Sequence, residues 1–205
     1  ILASLVNPGI TDSIEGGVVK WVVDLRHART DGEDFLLAIY DSGLAFDESC
    51  DFQAAVCDYD VAALSFDAGC DPYFRFENAK IVNNRLTAGG RDQLISMVLP
   101  LVGGSLLAVT IASARTEGTV TVDGSGSITA INGIIAGAIP KAQLIEAVRE
   151  LDPDNFSLPG LTPSAAADLL DTLVIADIDL DGDGLAEAAS VSMRIATIPA
   201  RLVAQ

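Results

Sequence analysis

Between residues 73 and 139 the chain alternates between longer runs that favour strands and short turns, the pattern of a β-meander. The runs cover residues 73–86, 93–99, 105–122 and 127–139. The turns are rich in glycine and contain Gly89-Gly90, Gly103-Gly104 and Asp123-Gly124-Ser125-Gly126. Glycine and aspartate favour tight hairpin turns, and β-branched runs bounded by such residues favour strands. The pattern therefore predicts a mainly β fold, either an antiparallel β-sandwich or a meander.

Further elements are predicted on both sides of this meander. Upstream, residues 1–17 read as a helical lead-in, and the runs 18–25 and 35–40 predict a β-hairpin. Downstream, residues 141–151 have the apolar spacing of an amphipathic helix, and Pro163 after Thr162 predicts the start of a second helix through residue 170. We expect these helices to cap the sheet, and the 205 residues to form a single domain spanning 1–205.

Charge and composition exclude several classes of partner. The formal net charge of −17 argues against nucleic acid and anionic membrane surfaces, both of which favour clusters of Lys and Arg. Hydrophobic residues make up 50% of the chain, far more than in disordered acidic segments, so the chain is expected to fold. Only 5% of the residues are aromatic, so the core is expected to consist of Val, Ile, Leu and Ala.

Residues 93–114 carry no charge and are long enough for a membrane span. Pro100 and Gly103-Gly104 interrupt the stretch, and this interruption favours a turn between two buried strands. We therefore expect that the chain is not an integral membrane protein. Strands that are apolar on both faces would fill the centre of a sandwich, line an apolar cavity or be covered by a neighbouring subunit.

The segment 179–187, called the ion loop below, reads Asp-Leu-Asp-Gly-Asp-Gly-Leu-Ala-Glu. Ca²⁺ binds oxygens only, and a tight loop supplies them from acidic side chains at its first, third and fifth positions and from a later carbonyl and acid. The predicted ligands in that order are Asp179, Asp181, Asp183, the Leu185 carbonyl oxygen and Glu187. Gly184 stands at the sixth position, where the chain must turn sharply. The sequence therefore predicts a calcium site.

The flanks of the ion loop are not those of an EF-hand. That motif needs a helix on each side and a glutamate at its twelfth position, where this chain has Ser190. Residues 172–178 and 189–195 instead predict strands. The unit resembles the DxDGDGxxD/E loops of secreted bacterial β-proteins, the FG-GAP and VCBS-type repeats among them, in which such a loop staples two strands.

The resemblance covers residues 172–198 and occurs once in the chain. It therefore implies the ion and the β setting, and it implies no propeller because there is no second copy. The alternative is a solvated acidic hairpin without metal.

Residues 41–72 form an acidic stretch that contains all three cysteines, Cys50, Cys57 and Cys70. Their spacing is not the paired one of zinc or redox sites, so one disulfide among them is predicted, with the pairing open. The alternative is three reduced thiols in a cytosolic protein. We expect a long ordered loop tied by the disulfide, which leaves one thiol over. The acids of this stretch are either a second calcium site or a solvated surface: Asp47, Glu48, Asp51, Asp58, Asp60, Asp67 and Asp71.

The sequence gives little support for catalysis. The single histidine, His27, lies close to Arg26 and Arg29, and the chain has no nucleophile elbow, phosphate-binding loop or dinucleotide fingerprint. We therefore expect no catalytic residues and no organic cofactor.

Two function classes remain. The favoured one is a non-catalytic, calcium-stabilised structural or interaction protein, with protein partners or self-assembly. The alternative is a carrier or binding protein for a lipid or another apolar ligand. Calcium and a disulfide point to the extracellular space or cell envelope, including the periplasm and the outer-membrane surface, and the start at Ile1 suggests a processed or truncated N-terminus. The chain is also similar, in its ion loop and apolar meander, to predicted cell-envelope proteins of Gram-negative bacteria.

Overall fold

The computed structural model describes residues 20–46, 49–51, 54–100, 106–154, 156 and 160–203, and for Leu99 and Pro100 it describes the backbone alone. The predicted lead-in helix at 1–17 and the predicted turn at Gly103-Gly104 lie outside these residues.

The described part of the chain is mainly β, which confirms the predicted fold class. The strands in chain order are β1 (Trp21–Arg26), β2 (Phe35–Leu44), β3 (Asp58–Val61), β4 (Arg75–Val82), β5 (Arg85–Gly89), β6 (Leu94–Pro100), β7 (Leu106–Val122), β8 (Ile128–Pro140), β9 (Ala188–Ala196) and β10 (Arg201–Leu202). The two helices are α1 (Lys141–Arg149) and α2 (Pro163–Leu173), as the sequence predicts, and a 3₁₀ turn covers Ala63–Ser65.

The ten strands form one mixed sheet in the order β10-β3-β2-β4-β5-β7-β8-β9, with β1 paired to β2 and β6 paired to β7. Strands β1 and β2 are antiparallel with Val22 opposite Tyr40, which confirms the predicted hairpin. Strands β3 and β10 are parallel, with Arg201 opposite Asp58.

The predicted run 73–86 is two strands rather than one. Asn83 and Asn84, with φ of 51° and 60°, form a two-residue turn between β4 and β5, and Val82 pairs with Arg85 across it. Asparagine tolerates the left-handed conformation that this kind of hairpin turn needs at both central positions. This turn was not predicted from the sequence because it contains no glycine.

The chain forms two compact units, and each has its own buried residues. One unit contains Leu94–Ser113 and Gly137–Val191, and it buries Ile95, Met97 and Val109 of the β6–β7 hairpin and Leu144 and Leu170 of the two helices. The other contains Lys20–Gln93, Ala114–Ala136 and Ser192–Gln205, and its fully buried large side chains include Tyr40, Phe76, Ile81 and Leu86. The expectation of one domain over 1–205 stays a prediction.

Strands β6 and β7 contain most of the described residues of the uncharged stretch at 93–114. They form an antiparallel hairpin in which Ile95 faces Ile111 and Met97 faces Val109, and these four residues are buried. The alternate residues Leu94, Val98 and Leu106 are 61%, 43% and 59% exposed, so these strands are not buried on both faces. Among the described helices, none is long and apolar enough to cross a membrane.

Helix α2 continues to Leu173, beyond its predicted end at residue 170. The predicted strand at 172–178 is therefore wrong: its first residues are helical, and Ile178 alone forms a β-bridge, to Ala188. The helix begins as predicted, because Thr162 Oγ1 accepts a hydrogen bond from Ala165 N at 3.2 Å and Pro163 occupies the first turn. The downstream prediction at 189–195 is confirmed by β9.

The acidic stretch at 41–72 is more regular than the long loop that the sequence suggested. It contains the end of β2, the strand β3 and the 3₁₀ turn. A disulfide joins Cys50 to Cys57, which confirms the predicted bond, and the buried Cys57 packs with Val22 and Tyr59. Cys70 is the free thiol and is exposed.

Candidate metal centre

The ion loop is closed at its base by a short antiparallel bridge. Ile178 N donates to Ala188 O at 3.0 Å, and Ala188 N donates to Ile178 O at 3.1 Å. Ala188 is fully buried, and β9 begins there. The bridge therefore holds the two ends of the ion loop together where β9 begins.

A second contact lies one step outside this bridge. Ser190 N donates to Asp177 Oδ1 at 2.7 Å, and Ser190 Oγ donates to Asp177 Oδ2 at 2.6 Å. Asp177 therefore uses both of its carboxylate oxygens to hold β9, and it lies outside the predicted set of ligands.

The interior of the ion loop is organised around Asp179. Its Oδ1 accepts from Gly182 N at 2.6 Å and its Oδ2 accepts from Gly184 N at 2.8 Å. Gly182 and Gly184 have φ of 83° and 91°, a region that side chains with a β-carbon disfavour. The glycines of the motif thus let the backbone fold around the first carboxylate.

Glu187 connects the ion loop to its surroundings. Its Oε1 accepts from Leu180 N at 2.6 Å, and its backbone carbonyl accepts from Lys141 N, the first residue of α1, at 2.9 Å. The side chain of Glu187 is therefore directed back across the loop while its backbone holds the start of a helix.

Three of the predicted ligands converge. Asp179, Asp181 and Glu187 each offer a carboxylate oxygen, and these oxygens lie within 4.8 Å of one another at an exposed position. Such a group of hard oxygen donors can hold a metal ion. It is the sole group of three or more His, Cys, Asp or Glu side chains with this geometry in the described part of the chain.

The other two predicted ligands lie in the same loop but outside this group. Asp183 N donates to Asp181 Oδ1 at 3.0 Å, and Asp183 Oδ1 accepts from Leu185 N at 2.8 Å. The roles of Asp183 and of the Leu185 carbonyl oxygen as ligands stay predictions.

Hydrogen bonds lower the pKa of two acids, one in the ion loop and one just before it. The backbone N–H groups of Gly184 and Gly182 lower the pKa of Asp179, and the Ser190 hydroxyl, followed by its backbone N–H, lowers the pKa of Asp177. A carboxylate binds a metal in its deprotonated form, which the lowered pKa of Asp179 favours. Without a cation, the clustered negative charges repel one another.

Several described acids of the stretch 41–72 make contacts unrelated to a metal site. Asp58 forms an ion pair with Arg201 at 2.6 Å, and Asp67 Oδ1 accepts from Gly69 N at 2.8 Å and Asp71 N at 3.0 Å. Asp47 and Glu48 lie outside the described residues. The described acids of this stretch therefore form no group with the geometry of the ion loop.

Sequence reasoning missed the links that attach the loop to the rest of its unit. The Asp177–Ser190 contact joins residues that are 13 positions apart, and the Glu187–Lys141 hydrogen bond joins two segments that are distant in the chain. The sequence carried a signal for the first link, since an acid stands just before the loop and a serine just after it.

Comparisons with models of protein families, with curated proteins and with solved structures give no match to this chain. The resemblance of the ion loop to FG-GAP and VCBS-type loops therefore stays a prediction.

Proposed function

We infer that the chain is a non-catalytic structural or interaction protein of the extracellular space or cell envelope, stabilised by Ca²⁺ in the ion loop. The observation that carries this inference is the convergence of Asp179, Asp181 and Glu187 within 4.8 Å. Ca²⁺–oxygen distances are about 2.3–2.6 Å, so oxygens on opposite sides of one Ca²⁺ lie about 5 Å apart. The spacing of the three carboxylates is compatible with that size.

The donor set favours Ca²⁺ over other metals. All of the candidate ligands are oxygens, which argues against zinc and copper because these ions favour nitrogen and sulfur. Mg²⁺ needs shorter distances in a near-ideal octahedron and retains its waters, whereas Ca²⁺ tolerates an irregular loop with several carboxylates. Asp183 and the Leu185 carbonyl oxygen complete the proposed ligand set.

The position of the loop supports a structural role for the ion. The ion would bind Asp179 and Asp181 on one arm of the loop and Glu187 on the other, next to the bridge between Ile178 and Ala188. Because Glu187 O also accepts from Lys141 N, binding at Glu187 would stabilise the start of α1 as well as the start of β9. The ion thus acts as a staple between two elements of one unit.

Two further features support the proposed location and role. A disulfide between Cys50 and Cys57 is typical of oxidising compartments, where Ca²⁺ is also abundant. The exposed apolar residues Leu94, Val98 and Leu106 on one face of β6 and β7 favour a protein that is covered by a partner or by copies of itself.

The decisive experiment is thermal unfolding of metal-free protein with and without Ca²⁺. At a free concentration about a hundredfold above the dissociation constant, binding should stabilise the folded state by about 2.7 kcal/mol, and excess EDTA should reverse the increase in Tm. The same concentration of Mg²⁺ should have a smaller effect. An identical Tm in Ca²⁺ and in EDTA would remove the metal from the proposal.

A second measurement separates the proposed role from the alternative. Light scattering should show an assembly or a complex under native conditions. Native mass spectrometry that instead finds a stoichiometric lipid or other apolar ligand would favour a carrier.

A further inference from the structure

One face of β3 carries two carboxylates, Asp58 and Asp60, and Asp58 forms an ion pair with Arg201. Asp58 and Asp60 are two residues apart and thus lie on the same face of the strand, while the intervening Tyr59 is buried with Val22 and Cys57. Asp58 pairs with Arg201 at 2.6 Å. The side chain of Asp60 has no hydrogen bond or ion pair to any described residue.

The space beside Asp60 is open. Asp60 stands opposite Gly43 of β2, and directly opposed residues of an antiparallel pair share one face. A β-carbon placed on Gly43 would meet no heavy atom within 4 Å. Gly43 therefore places no side chain over Asp60 on the β2 side, and a basic group that comes from the β10 side meets no competing partner there.

The chain itself shows what kind of segment the edge of β3 accepts. Strand β10 lies parallel to β3, with Arg201 N donating to Cys57 O at 3.0 Å and Val203 N donating to Tyr59 O at 3.1 Å. The register pairs Arg201 with Asp58 and Leu202 with Tyr59, so the next residue, Val203, lies opposite Asp60. Its apolar side chain leaves the second carboxylate without a counter-charge.

The contact between β10 and β3 is small enough to be replaced. Strand β10 is two residues long and both are exposed. Its ion pair joins side chains that are 66% and 29% exposed, and pairs of this kind contribute little net stability.

We propose that the edge of β3 is a docking site for an extended segment of a partner protein with the pattern basic-apolar-basic, which replaces β10. Its first basic side chain takes the place of Arg201 at Asp58, and its second pairs with Asp60. The main-chain groups form the hydrogen bonds that β10 now forms, as in recognition by strand addition. The net charge of −17 favours a cationic partner over a second copy of this chain. The proposal does not rest on calcium, since β3 and the ion loop belong to different units.

The test uses the full chain and two labelled peptides of about ten residues that differ at one position, a typical strand length with flanks. One contains Arg-Leu-Lys and the other contains the chain's own Arg-Leu-Val. By fluorescence anisotropy, the Arg-Leu-Lys peptide should bind about threefold more tightly, an advantage that added salt should reduce.

Substitutions in the chain test whether Asp60 causes the preference for the Arg-Leu-Lys peptide. Asp60→Asn should abolish the preference for the Arg-Leu-Lys peptide, whereas the matched control Asp92→Asn, which removes one exposed charge elsewhere, should preserve it. Val203→Lys supplies the missing base within the chain, so it should raise the Tm and weaken the binding of both peptides.

Three results would overturn the proposal: equal affinity for the two peptides, no binding of either, or equal effects of Asp60→Asn and Asp92→Asn. Light scattering of the free protein provides a further check. A species of about twice the chain mass that Asp58→Asn dissociates would assign this edge to a second copy instead.

Discussion

Ser190 binds Asp177 at two points across the base of the ion loop, through its backbone N at 2.7 Å and its Oγ at 2.6 Å. Both oxygens of Asp177 are occupied by this contact, while the oxygens of Asp179, Asp181 and Glu187 converge beyond it. Closure of the loop and the proposed binding of an ion therefore involve different carboxylates, and substitutions can separate the two.

Asp181→Asn and Asp183→Asn should each reduce Ca²⁺ affinity by at least about tenfold, equivalent to about 1.4 kcal/mol, because each removes a charged ligand. Asp177→Asn should reduce the affinity clearly less, since Asp177 binds Ser190. Isothermal titration calorimetry of the three variants measures these affinities.

The three substitutions remove the same charge with little change in shape, so each serves as a control for the others. Equal losses in all three would indicate a diffuse acidic surface rather than a coordination sphere. A loss with Asp181→Asn but none with Asp183→Asn would restrict the ligands to the three converging carboxylates.

The Asp177–Ser190 contact should also respond to acid. The folded state lowers the pKa of Asp177 below its ordinary value of 3.8, so its contribution to stability is present above that value and is lost as the pH falls through the lower folded pKa. The difference in urea midpoint between the native chain and Asp177→Asn, measured in EDTA, should be constant from about pH 7 to about pH 5 and should shrink below about pH 4. A difference that grows on acidification would contradict this assignment.

The sequence predicted those parts of the fold that depend on local chemistry. The turn at Asp123-Gly124-Ser125-Gly126 could be predicted because its contacts are local: Asp123 Oδ1 accepts hydrogen bonds from Ser125 N at 2.8 Å and from Ser127 N at 3.0 Å. The start of α2 was predicted for the same reason, since Thr162 and Pro163 act within one turn.

The wrong predictions concern segments whose secondary structure depends on packing against residues distant in the chain. Residues 172 and 173 have β-branched and apolar neighbours and read as strand, yet α2 continues through them with Leu170 buried. Residues 58–61 alternate between acidic and apolar side chains, and because of the acids this segment was not predicted to be a strand. It forms β3 because Tyr59 packs with Val22 and Cys57. Likewise, the spacing of the acids in the ion loop predicted the three carboxylates that converge, but the attachment of the loop to Lys141 depends on tertiary structure.

The cysteines should give a simple thiol count. Native, unreduced protein should show one reactive thiol, the exposed Cys70, and reduced, denatured protein should show three, because Cys50 and Cys57 are joined. Three reactive thiols in protein purified from its native source without reductant would place the chain in a reducing compartment.

Removing that disulfide should destabilise the chain. A double substitution of Cys50 and Cys57 by Ser should lower the free energy of unfolding by about 2.5 kcal/mol, the entropy of closing so short a loop in the unfolded state, with a further loss because Cys57 is buried. Cys70→Ser is the matched control and should change the urea midpoint little.

The last prediction concerns the close approach of β7 and β8. A β-carbon on Gly133 would collide with the carbonyl oxygen of Glu117 and would lie 2.7 Å from Gly118 Cα, so the two strands can pair only if this position lacks a side chain. Backbone atoms within a sheet cannot move aside as a flexible side chain can. Gly133→Ala should therefore destabilise the chain by at least about 2 kcal/mol. Gly43→Ala, also in a strand but with open space around the new methyl group, should stay within about 0.5 kcal/mol. Urea unfolding of both variants in the same buffer measures the contrast, and equal stability of the two would show that β7 and β8 are not packed at this distance.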